Sequence, residues 1–158
     1  MAKYVRSKIT FTGDPETLVK LAAEIKSETD SSPISLARIL PLTEGSSPEE
    51  IWGVSEEAEE TDLISYRNGT ILEYSLDTIK KAPLPVYRKL AQLFPDVSMT
   101  VNYAYEDYGN NCGILESPPG TAELTEKEPD DPFVFACEVW DVDPDEEMSE
   151  LSINYYEE

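Results

Sequence analysis

The segment Asp141-Val142-Asp143-Pro144-Asp145 sets three carboxylates at alternate positions. An EF-hand loop meets calcium with that spacing at its first, third and fifth ligands. The rest of such a loop is missing. Glu146 stands where the sharp turn needs glycine, and Ser152 where a bidentate glutamate closes the shell. Specific calcium binding is therefore not expected, and the local charge attracts cations only diffusely. Glu56-Glu57 and Glu59-Glu60 are a second carboxylate group. Acid–base work by such a group needs an environment that drives the pKa values apart. These residues have polar flanks, so exposed charge is their expected role. The chain has no histidine and two cysteines, Cys112 and Cys137. That removes the commonest general base, the Ser-His and Cys-His nucleophile pairs and every zinc site containing histidine. Two thiols cannot build a cysteine-only zinc site either. Cys112 sits in Asn110-Asn111-Cys112-Gly113 with no basic neighbour to favour its thiolate. The chain is expected to have no cofactor and not to be an enzyme.

The elements that would carry these groups follow from periodicity and punctuation. Val5, Ser7, Ile9 and Phe11 alternate with Arg6, Lys8 and Thr10, which predicts a strand with one buried face. Asp14 as N-cap and Pro15 in the first turn open a helix with Leu18, Leu21, Ala22 and Ile25 on its apolar side. Residues 34–40 read as a second strand and 43–60 as a polar loop or short exposed helix. Asn68-Gly69 predicts a two-residue hairpin in which Leu63 faces Tyr74 and Tyr66 faces Ile71. Pro83 and Pro85 open another helix, with Val86, Leu90, Leu93 and Phe94 on its apolar face. Val97, Met99, Val101, Tyr103 and Tyr105 predict a half-buried strand, and residues 112–115 a short partner to it. A loop is expected from Pro118 to Pro132, a last strand over 133–142, and a short helix capped by Asp143. This order predicts an α+β fold. Its simplest form is a ferredoxin-like, split βαβ arrangement: a mostly antiparallel sheet with two helices on one face. The core is expected over residues 1–116, with 117–158 an acidic C-terminal extension packed on, or continuing, the same domain.

Several short pieces also match a known pattern. Arg38-Ile39-Leu40-Pro41-Leu42, Trp52-Gly53, Leu76-Asp77-Thr78, Pro83-Leu84-Pro85-Val86, Leu93-Phe94-Pro95-Asp96 and the stretch 103–113 occur in this order. In order and spacing they resemble the YubB-like ferredoxin-like family of plasmids and phages, over roughly residues 1–116. The resemblance implies the fold and an origin on a mobile element, and it supplies no reaction. Family members tend to read Trp-Gly-Thr-Lys-Trp where this chain has Trp52-Gly53-Val54-Ser55-Glu56, and an aromatic where Lys80 stands.

Charge narrows the function further. Twelve basic residues face 33 acidic ones among 158, a formal net charge of −21. Such a surface repels phosphate, so direct binding of nucleic acid or anionic membrane is not expected; the fitting partner is basic. No apolar stretch of about 18 residues is present. The start, Met1 to Arg6, lacks the apolar core of a signal peptide. With two cysteines expected to stay reduced, the expected location is the host cytoplasm. The acidic residues fall in two blocks, 43–79 and 106–158, separated by a mildly basic stretch. Together with the mobile-element resemblance, they point to an inhibitor that imitates nucleic-acid phosphates. Its target would be the basic surface of a host defence protein, of the anti-CRISPR or anti-restriction kind. The expected contacts are Glu56, Glu57, Glu59, Glu60 and Asp62 in one patch, and Asp141, Asp143, Asp145, Glu146 and Glu147 in the other. A non-enzymatic accessory or scaffold domain of a mobile element, binding another basic protein or itself, is the alternative. Trp52, Trp140 and the tyrosines 103, 105 and 108 are expected to pack rather than to bind.

Overall fold

A computed structural model of the chain describes residues 3–67, 69–108 and 111–146. In chain order its elements are β1 (Tyr4–Thr12), α1 (Pro15–Ile25), α2 (Leu36–Ile39), α3 (Pro48–Trp52), β2 (Glu59–Arg67) and β3 (Ile71–Ile79). There follow α4 (Leu84–Leu93), β4 (Ser98–Tyr105), β5 (Cys112–Ser117), β6 (Thr125–Lys127) and α5 (Pro132–Val139). The strands form one six-stranded sheet in the order β2-β3-β1-β4-β5-β6, and every neighbouring pair is antiparallel. The fold is α+β.

Strand alternation divides the sheet into two faces. On the first, Val5, Ile9 and Phe11 of β1 line up with Leu72, Leu76 and Tyr74 of β3 and with Met99, Val101 and Tyr103 of β4. All are buried. Helices α1 and α4 cover this face with Leu18, Leu21, Ile25, Val86, Tyr87 and Leu90. Each such aliphatic side chain contributes about 1.5–3 kcal/mol on burial. The hydroxyls of Ser7 and Tyr87 face one another in this core without a hydrogen bond of good geometry. Leu93, expected on the apolar side of α4, is largely exposed.

Three helices begin with the same local device. Asp14, Ser47 and Asp131 each accept a hydrogen bond from the backbone N–H three residues on, with proline in the first turn. The third of them corrects the strand expected over 133–142. Residues 133–137 are apolar without a break, which suits a strand, yet the Asp131-Pro132 start makes the run α5. The strand expected at 34–40 is likewise short helix α2, capped by Ser35. Leu36 and Ile39 are three apart and both buried, which is helical spacing. In the hairpin Leu63 does face Tyr74, but Tyr66 pairs with Leu72 rather than Ile71, because the register shifts between Leu63 and Ser65. Asn68 lies outside the described residues.

Three short segments, around Leu40, Trp52-Gly53 and Pro85, meet in space. The Trp52 indole N–H donates to the Leu40 carbonyl at 2.7 Å. Gly53 caps α3 with φ +82°, and a Cβ there would stand 3.0 Å from Pro85. This contact ties α3 to the start of α4, so the Trp52-Gly53 pair serves packing.

The described part of the region after residue 117 is tied into the sheet. β6 extends it beside β5. α5 packs on the second face, where Ala136 and Val139 meet Ala104, with Phe135, Tyr108, Cys112 and Trp140 around them. Residues 144–146 begin a further helical turn.

Candidate functional site

The second face of the sheet collects the charges that alternation turns away from the core. Arg6 stands between Asp77 and Ala104 in register, and Glu59 lies beyond Asp77. In the next row Lys8 pairs with Ser75, and Asp62 lies beyond it. The Arg6 guanidinium grips Asp77 with two hydrogen bonds, from Nε at 2.8 Å and Nη2 at 3.1 Å. The Trp140 ring lies over the same guanidinium, 4.3 Å from its carbon to the ring centroid. Hydrogen bonding to Asp77 holds the Arg6 pKa above its usual value. The carboxylates of Asp141 and Glu60 act in the same direction. Members of both acidic blocks, far apart in the chain, therefore lie within electrostatic reach of one cation. The neighbouring cation is also engaged: Lys8 Nζ contacts Asp141 at 2.6 Å and the Glu138 carbonyl at 3.1 Å. The basic side chains at the centre of this face are thus matched, and the carboxylates around them are left in excess.

The expected contact residues have unequal roles. Glu56, in the bend before β2, and Glu60 and Asp62, on β2, are exposed. Glu59 accepts a hydrogen bond from the Tyr4 hydroxyl, which raises the tyrosine pKa. Asp141 is committed to Lys8. Asp143 accepts the backbone N–H of Asp145 at 2.8 Å, a local cap. Asp145 and Glu146 are exposed, and Glu147 lies outside the described residues. Glu57 is a structural group. Its carboxylate accepts the N–H groups of Leu36 at 2.6 Å, Ala37 at 3.0 Å and Ala58 at 3.0 Å, and the Ser35 hydroxyl at 3.3 Å. It holds the first turn of α2 from about twenty residues away. Glu57→Ala orphans those donors and is expected to cost about 1–2 kcal/mol. Glu56→Ala, its exposed neighbour, is expected to stay within about 0.5 kcal/mol of the parent. Urea denaturation of the two variants makes the comparison.

Asp77, Glu106 and Trp140 do work that their positions in the chain do not announce. The Glu106 carboxylate accepts the N–H groups of Lys3 and Tyr4 at 2.7 and 2.6 Å, which fixes the start of β1. The Trp140 indole donates to the Ala104 carbonyl at 2.9 Å and anchors α5. The one available signal for Asp77 was the polar set Arg6, Lys8 and Thr10 on the second face, which needs acidic neighbours across the sheet.

A cavity of about 60 Å³ lies between α5 and the sheet, lined by Lys8, Asn102, Phe135, Glu138 and Val139. It is too small for an organic substrate, whereas a larger cleft of about 330 Å³ lies between α1, α2 and α4, lined in part by Glu24, Arg38, Lys89 and Phe94. The Cys112 thiol is pushed above its ordinary pKa, first by burial and then by the charges of Asp107 and Glu128. That disfavours the reactive thiolate. Among the described residues no helix is long and apolar enough to cross a membrane. No protein-family model, curated protein or solved structure matches the chain.

Proposed function

We propose that this chain is a non-enzymatic inhibitor from a mobile element. It binds the basic nucleic-acid channel of a host defence protein, of the anti-CRISPR or anti-restriction kind, and imitates the phosphates that the channel holds. The observation that carries this reading is the meeting of the two acidic blocks around Arg6. Arg6 and Lys8 are already engaged by Asp77 and Asp141, so an approaching basic protein meets the exposed carboxylates of Glu56, Glu60 and Asp62. A surface of this kind accelerates encounter with a basic partner and repels competing polyanions.

The fold belongs to the same proposal. The order β2-β3-β1-β4, with α1 leading from β1 and α4 leading from β3, supports a ferredoxin-like arrangement extended by β5 and β6. Membership of the YubB-like family is consistent with it. Affinity capture from host lysate, followed by mass spectrometry, tests the function. The expected catch is a nuclease or effector complex that releases its nucleic acid when this chain binds. Capture of other proteins of the same element, with no nucleic-acid-binding target, would replace the inhibitor by a scaffold domain.

A further inference from the structure

The two edges of the sheet are built differently. β6 is three residues long and carries Lys127, a short, charged edge of the kind that discourages strand pairing. At the opposite end, β2 has nine residues, and among the described residues its outer side faces no strand. In the middle of that strand Leu63 and Ile64 are each 48% exposed. An edge protected only against aggregation would not place two aliphatic residues there. The carboxylates of Glu59, Glu60 and Asp62 disfavour pairing with a second copy of the same edge, because like charges would face each other. The same charges favour a basic strand.

We propose that the outer edge of β2 receives an extended, basic segment of the partner protein by strand addition. This rests on the acidic-surface reading above and specifies how that surface is engaged. The register sets the chemistry of the segment. Asp62 lies opposite Ser75 on the charged second face, while Leu63 lies opposite Tyr74 on the helical face. An added strand alternates its side chains in the same way. Its lysines or arginines fall beside Asp62, and its aliphatic residues beside Leu63. The register shifts on either side of Asp62 and Leu63 limit the pairing to a short segment.

A short peptide alternating lysine and valine is the probe, with two derivatives N-methylated at every lysine or at every valine amide. In an extended strand these two sets of N–H groups point to opposite sides, so only one faces β2. The parent peptide is expected to shift the backbone amide resonances of residues 59–64. One methylated derivative is expected to bind like the parent and the other about tenfold more weakly, a loss of about 1.4 kcal/mol. Leu63→Ser combined with Ile64→Ser should weaken the parent peptide to a similar extent with an unchanged thermal midpoint. Equal binding of both methylated peptides overturns strand addition, as does equal binding of a peptide with its lysines and valines segregated. Both outcomes leave the acidic-surface reading standing, because charge alone then explains the binding. No binding by any of the peptides also overturns strand addition. Failure of the acidic-surface reading itself is read separately, as undiminished partner binding by charge-reversed variants.

Discussion

Val101→Asp is expected to lower the unfolding free energy by about 3–5 kcal/mol, enough to unfold a domain of ordinary stability under mild conditions. Val101 has no exposed surface. It pairs with Ile9 of β1 on one side and Leu115 of β5 on the other, in the middle of the sheet. The helical layer closes over it, so a carboxylate there meets neither water nor a counter-charge. The next residue makes the control. Asn102 points to the second face, beside Lys8 and the α5 residues Phe135 and Val139. Asn102→Asp puts the same charge one position along the strand and is expected to remain within about 1 kcal/mol of the parent. Chemical denaturation of both variants measures the difference. Equal losses would mean that β4 does not turn its odd-numbered side chains to the core.

That contrast rests on a register visible in the residues themselves. The alternation of β1 and β4 names the core face directly, since a one-residue slip would bury Arg6 and Lys8. Asp14-Pro15 marks α1 equally well. Asp131-Pro132 carries the same message for α5, but the apolar run from Phe133 to Cys137 gives no helical period to agree with it. Helix α2 is too short for periodicity, and its support comes from Glu57, twenty residues on. The site shows the same division. The acidic blocks are plain in the charge distribution. Their meeting depends on strand order, which places β3 and β1 between Glu59 and the α5 turn. Which carboxylates are engaged depends on partners distant in the chain: Ser35 for Glu57, Tyr4 for Glu59 and Lys8 for Asp141.

Those engaged carboxylates decide how the acidic surface is best tested. Lysine at Glu56, Glu60 and Asp62 reverses exposed charges on β2 and in the bend before it, and spares the cap that Glu57 supplies. Lysine at Asp145 and Glu146 does the same for the second block and spares the Lys8–Asp141 pair. With the captured partner at about 50 mM salt, each variant is expected to associate about 10–100-fold more slowly than the parent, while its thermal midpoint moves little. Exposed rim charges act mainly through encounter, so dissociation should change less. The difference should collapse near 500 mM salt, because the screening length shortens from about 10 Å at 0.1 M towards 3 Å at 1 M. Competition completes the test. A nucleic acid bound by the partner should be displaced by the parent chain and displaced poorly by either variant. Stopped-flow association and fluorescence displacement supply the two readouts. If both variants displace nucleic acid as well as the parent does, phosphate imitation is wrong. The formal charge of −21 then serves solubility, and the scaffold reading takes its place.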